Sequence, residues 1–405
     1  ALRGLPKDAI APRVRALTLR GGLLLGRGDF DPAITALSQA QALARAHAAA
    51  DSEDVLAATF ELCNGLSLAA RSAQARDCIV PALETWRRTG LPGDQRLVRA
   101  VTTLAVVQDA LGESADSERA LREVLALKRT LYAPDHVDTA RALRDLAYVV
   151  ARQSRFAEAE ALLTEARAVF VARLGPDHDD VARTADAQGL LMSNQRRLDE
   201  AVAHYREALA ICTRGALEGE VCLRARHNLG HALYRLERYP EARRELEAAL
   251  AQRRARFGER HAWVAVTLGA LSNLAVAEQR PEEAVSLATE AVTMLEALGM
   301  GNSRDAAQMR SGLAHALSHA GRDAEALPVV DRALADWRRL VPGPNLRHLQ
   351  MMAEKAQILQ TLGDLPALAG LLVEIDAAGV DPAQVPESTR TIIERARTAV
   401  AAAPR

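Results

Sequence analysis

The chain has 405 residues, a net charge of −1 and only 3% aromatic residues. Ala, Leu, Arg and Glu dominate, which is helix-forming material with small packing residues, and period-two alternation of β-branched residues is almost absent, which argues against a sheet. The balanced charge gives no ground for a nucleic-acid or membrane-surface binder, and no apolar run approaches the ~18–20 residues of a membrane helix.

Nearly all basic residues are Arg, with Lys7, Lys128 and Lys355 as exceptions. No signal peptide opens the chain and its first residue is Ala1, so a fragment or processed piece of a longer protein is expected. Residues 1–13 read as an N-terminal flank.

From residue 14 a motif repeats: a small residue late in one helix, a turn, then a small residue early in the next. The pairs are Gly21/Ala33, Cys63/Ala75, Ala105/Ser117, Ala147/Ala159, Gly189/Ala201, Gly230/Ala242, Ser272/Ala284, Ala314/Ala326 and Ala356/Leu368. Partners lie 12 residues apart, and successive pairs lie 42 apart with one step of 41. The unit is a helical hairpin whose small residues let two antiparallel helices approach, while Leu229, Leu233 and Leu246 fill the seam. One hairpin cannot bury both faces, so neighbours must stack. An array of about nine hairpins is expected over 14–379, with starts near 14, 56, 98, 140, 182, 223, 265, 307 and 349.

Asp and Pro before a helix favour its start, so the Pro-Asp-His loops end one hairpin and launch the next. His136, His178 and His261 recur there and are read as bonding across the loop. Trp86, Trp263 and Trp337 are expected to pack at repeat junctions. Residues 386–403 read as one capping helix, with Ile392, Ile393, Ala396 and Val400 on its apolar face.

In RHNLGHALYRLERYPEARRELEAAL (226–250) the Leu-Gly, Tyr, Ala and Ala positions fall at the spacing of the tetratricopeptide-repeat family, which the sequence resembles. The 42-residue period and the loops GPDHDDVA and FGERHAWVA are similar to the kinesin-light-chain type. The resemblance implies an all-α, right-handed superhelical solenoid with a concave groove. It places Arg99, Arg141, Arg183 and Arg224 at one groove position of four consecutive repeats, with Arg144 a turn further on. Downstream the lining becomes His227, Asn228, His231, Tyr234, Asn273 and His315. Arg offers forked donors for carboxylate or phosphate; the competing reading pairs these arginines with carboxylates of the next helix. Asn holds a peptide backbone with one donor and one acceptor.

Signatures of catalysis are missing: there is no phosphate-cradling Gly loop, HExxH, GxSxG, CxxC or kinase HRD and DFG. No enzymatic activity, cofactor or metal is expected of this chain. The pairs His227/His231 and His315/His319 have helical metal-ligand spacing but each lacks a third ligand. A disulfide is expected between Cys212 and Cys222, which flank a short irregular loop; for Cys63 and Cys78, on facing helices, the geometry is less assured. Four buried thiols in a cytosolic solenoid are the alternative.

The resulting expectation is a non-catalytic domain that binds a protein or peptide, an acidic one if the arginines make the contact, with self-association open. The repeats also resemble the C-terminal sensor region of bacterial transmembrane serine/threonine kinases, which implies a periplasmic site and a kinase domain on a preceding segment. The alternative is a cytosolic adaptor that scaffolds a complex.

Overall fold

A computed structural model describes residues 9–27, 29–69, 71–91, 93–341, 343, 345–380 and 385–402. Residues 1–8 of the expected flank and residue 403 of the expected cap lie outside the described residues. Among the described residues there are 19 helices and no strand.

They are α1 (Ile10–Arg27), α2 (Phe30–Arg45), α3 (Glu53–Leu68), α4 (Ser72–Thr89), α5 (Gln95–Ala110), α6 (Ser114–Leu131), α7 (Val137–Arg152), α8 (Phe156–Leu174) and α9 (Asp179–Asn194). There follow α10 (Leu198–Arg214), α11 (Glu220–Arg235), α12 (Tyr239–Phe257), α13 (Ala262–Ala277), α14 (Pro281–Ala297) and α15 (Arg304–His319). The last are α16 (Asp323–Leu340), α17 (Leu346–Leu362), α18 (Leu365–Ala377) and α19 (Glu387–Ala401). From α3 to α17 each odd-numbered helix begins three residues before the start read from the seam residues. The shift is nearly one turn, because the capping residues and not the seam decide where a helix opens. Likewise α1 opens at Ile10, inside the expected flank.

The chain divides into two compact units, Ala1–Gln195 with Ala210–Leu217, and Arg196–Leu209 with Glu218–Arg405. In the first, each of α1 to α8 packs on the next, and α3 also touches both α1 and α5, while α7 touches α9. In the second, α11 to α18 do the same, α13 and α15 touch their odd-numbered neighbours, and α19 covers α17 and α18. Odd-numbered helices that touch one another stand closer than the even-numbered ones and form the inner wall of each unit.

The seam works by close approach. A Cβ added at Gly230 would lie 2.7 Å from Leu246 Cγ, so any larger residue there requires that leucine to shift. Ser272, at the place of Gly230 in its repeat, and Ser117, at the place of Ala242, donate across the seam to the carbonyls of Ala284 and Ala105 at 2.9 and 2.8 Å. In the third place stands a covalent link: Cys63 and Cys78 form a disulfide between α3 and α4, with Cα atoms 5.6 Å apart. The doubt about this pair is thereby removed. A closed loop of its 15-residue span is worth up to ~3 kcal/mol. Cys212 and Cys222 are disulfide-bonded too, and no cysteine is free.

The loop histidines are helix caps. Nδ1 of His136, His178 and His261 accepts the backbone N–H of Asp138, Asp180 and Trp263, each at 3.1 Å. The rings of His136 and His261 also stack on Tyr132 and Phe257, 4.3 and 4.4 Å between centroids. Trp86 and Trp337 are buried at junctions; Trp263 is only partly so, because it stands at the open start of α13.

The arginine surplus goes largely to the outer wall. Within the first unit Arg87, Arg122 and Arg129 reach Glu123, Glu158 and Glu165 on the next even-numbered helix, 36 residues on. Arg254–Glu290 and Arg338–Glu374 repeat the pattern in the second unit. Each exposed pair is worth only about 0–1 kcal/mol, and together they tie neighbouring repeats within each unit.

Candidate functional site

In the first unit the arginines of the inner wall are held by carboxylates. Arg141 Nη2 meets Asp180 Oδ2 at 2.8 Å and its Nη1 meets Asp138 Oδ1 at 3.0 Å. Arg144 Nη1 meets the other oxygen of Asp180 at 2.8 Å. Burial pushes the Asp180 carboxyl up, yet the hydrogen bonds from Arg141 and Arg144 outweigh it and hold the group below the usual carboxylate range. Arg183 Nε bonds Asp179 at 2.5 Å, and Arg99 lies 3.1 Å from Glu61. Any acidic ligand at Arg141 or Arg144 therefore competes with Asp180. Arg99 is the most open of the set, its side chain 67% exposed.

Arg99 also lines a concavity of about 1080 Å³ between α1, α3 and α5, bordered by Lys128 at the end of α6. Its walls alternate in chemistry. Val14, Ala58, Phe60 and Val98 are apolar, whereas Glu61, Asn64, Thr102 and Lys128 bring donors and acceptors. Asn64 Oδ1 stands 3.5 Å from the Thr103 hydroxyl, and Lys128 Nζ donates to the Asp138 carbonyl at 3.0 Å. Burial pulls the Lys128 ammonium below its ordinary value, opposed by the nearby Asp138 and Asp145 carboxylates.

Sequence reasoning missed Asn64, though a signal existed. It occupies the repeat column of His231, Asn273 and His315, set back by successive repeat lengths. Lys128 gave no such signal, since it comes from an even-numbered helix whose end reaches under the inner wall.

In the second unit α11 carries Arg224, His227, Asn228, His231 and Tyr234 along one side. His231 and Tyr234 have ring centroids 6.2 Å apart, and Tyr239 continues the row at 6.2 Å from Tyr234. Burial lowers His231, assisted by the Arg235 charge, and raises Tyr234, so both rings stay neutral at pH 7. Asn273 is half-buried on α13. His315 Nδ1 lies 3.4 Å from Glu354 Oε1 on α17 and edge-on to His319 at 4.5 Å. No group of three or more metal-ligating side chains occurs among the described residues. No helix among them is long and apolar enough to cross a membrane.

Stacked helical hairpins of fixed period define an all-α helical-repeat solenoid. A tetratricopeptide-repeat model matches residues 100–170, 138–214 and 222–297, and a second one matches 306–344, together more than half of the chain. The chain belongs to the tetratricopeptide-repeat family. A search of curated proteins finds no match to the sequence.

Among solved structures, a Rap protein complexed with competence and sporulation factor is similar over 95% of this chain and 99% of its own, at 11% identity and a TM-score of 0.59. The apo quorum sensor NprR from B. thuringiensis is similar over 95% and 98%, at 9% identity and a TM-score of 0.56. A putative kinesin light chain from Podosopora anserina is 20% identical over 51% of this chain and 99% of that one, with a TM-score of 0.43. At these identities the likeness is one of fold.

His227 gives the second unit a measurable acid response. Burial, with the charges of Arg253 and His231, pushes its imidazole down from an ordinary 6.5 to about 3. The unfolded chain takes up this proton below pH ~6.5 while the folded chain refuses it, so stability present above that pH is lost progressively toward pH 3. In urea denaturation, His227→Gln is expected to lose less stability than the wild type between pH 6.5 and 4. Parallel losses in the two proteins would show that His227 does not couple folding to protons.

Proposed function

We propose that this chain is a non-catalytic domain that binds an extended peptide or a protein segment on the inner walls of its units. The observation that carries the reading is the concavity between α1, α3 and α5, where backbone-competent groups such as Asn64 and Thr102 stand beside apolar pockets and the open Arg99. Alternating polar and apolar walls suit a peptide, whose main chain needs hydrogen bonds and whose side chains need burial. The likeness in fold to a Rap protein solved with competence and sporulation factor, and to another solved with the Phr* peptide, supports the same reading. Arg99 favours a ligand carrying an acidic group, since its single partner Glu61 leaves much of the guanidinium open.

The finer role we propose is ligand sensing for a bacterial signalling protein of the receptor serine/threonine kinase kind, with this chain in the periplasm. Disulfide-bonded cysteines support an oxidising compartment. Occupation of the inner wall would then favour one arrangement of the repeats over another.

Panning a random peptide library against the chain is expected to return binders that Asn64→Ala combined with Arg99→Glu weakens at least ~10-fold, with helicity unchanged. No binders, or binders indifferent to the double variant, would refute the site. For the compartment, alkylation of protein taken directly from its native cells is expected to label no thiol before reduction. Labelling of all four cysteines would place the chain in a reducing compartment.

A further inference from the structure

Each even-numbered helix from α2 to α16 turns one residue inward eleven positions after its small seam residue. Ala44, Trp86, Phe170, Cys212, Leu295 and Trp337 occupy that place and are all 6% exposed or less. Two repeats break the rule with a cation, Lys128 and Arg253. Lys128 is compensated, as described, by a carbonyl and two carboxylates. Arg253 is not.

The Arg253 side chain is 1% exposed, and none of its nitrogens lies in an ion pair among the described residues. Nη1 donates to the Trp263 carbonyl at 2.9 Å and to the Thr267 hydroxyl at 2.6 Å, and the guanidinium lies 5.0 Å from the Trp263 ring centroid. Nε and Nη2, the two nitrogens of its side-on edge, have no protein partner. Burial lowers the group to about 10, opposed by Glu220 and assisted by Arg224, so it remains charged at neutral pH. The Nδ1 atom of His227, on α11 nearby, is likewise buried without a protein partner. A buried charge without a counter-charge is strongly unfavourable, and an apolar residue of similar size at that place is ordinarily no worse for stability. Six repeats fill that place with an apolar residue, so packing alone does not call for a cation there.

We propose that Arg253 is the floor of an oxyanion site in the second unit, taking a carboxylate or phosphate group between α11 and α13. The unpaired Nε–H and Nη2–H form a parallel fork that matches two oxygens of such a group. His227, neutral, supplies a third donor in the tautomer that carries its proton on Nδ1. Trp263, partly exposed and lying against the guanidinium, is the side chain that would give way to an entering anion. The inference does not depend on peptide binding in the first unit.

The test compares wild type with Arg253→Met, which gives this repeat the kind of side chain its neighbours carry. Thermal unfolding is followed in inorganic phosphate, in acetate, and in chloride at matched ionic strength. For the wild type at least one oxyanion raises the midpoint by about 3 °C or more over chloride, and the variant shows no such excess. Phosphate acting alone identifies a phosphate ligand, and acetate alone a carboxylate. Equal shifts in both proteins, or none in the wild type, overturn the proposal. Should Arg253→Met not fold, titration of wild type read by tryptophan fluorescence decides: a saturable change with an oxyanion and none with chloride supports the site, and no saturation refutes it.

Discussion

Two antiparallel helices can stack at close range only where neither puts bulk at the crossing, and this chain meets that constraint with one small residue from each helix, 12 positions apart. Gly230 against Leu246 shows how little room there is. Ser117 and Ser272 show a second solution, in which the small side chain spends its hydroxyl on the facing carbonyl. The Cys63–Cys78 bridge shows a third, replacing contact by a bond. Because the crossing recurs at a fixed interval, every other feature of the chain inherits that interval.

What is inherited is a set of columns. Odd-numbered helices form the inner wall of each unit, so a residue type repeated at the period becomes a row along that wall. Even-numbered helices form the outer wall, and the same period there becomes the row of Arg–Glu pairs. A high arginine content thus serves two ends by position alone. On the outer wall it cross-links neighbours weakly, whereas at Arg141 and Arg144 it clamps the start of α9 through the nearly buried Asp180.

Fold and period were readable because small residues, turns and capping loops are local signals that repetition amplifies. The caps were half visible: the Pro-Asp-His loops stood out, but that His178 itself caps α9 through Nδ1 depends on a backbone conformation the residues do not announce. For the site, sequence placed Arg99, Arg141 and His231 on the inner wall but could not say which were free, since Asp180 reaches Arg141 from 39 residues away. Asn64 was hidden by weak repeat signals near the start of the chain, and Arg253 by its place on an even-numbered helix, where only alignment against its buried counterparts makes a cation conspicuous. On the proposed reading, Arg99, Asn64 and Lys128 in one unit, and Arg253 in the other, would carry more of the recognition chemistry than Arg141, Arg144 and Arg183, whose guanidinium groups are held by carboxylates.

The constraint at the crossing is tested most directly by chemical denaturation of two glycine variants. Gly230→Val puts a branched side chain where Leu246 already sits, and should lower stability by about 1–3 kcal/mol. Gly22→Ala, on α1 with no atom within 4 Å of the new methyl, should be neutral or gain up to ~1 kcal/mol from helix propensity. A Gly230→Val chain as stable as the wild type would contradict the account, because the helices would then be stacking without the small residues said to set their register.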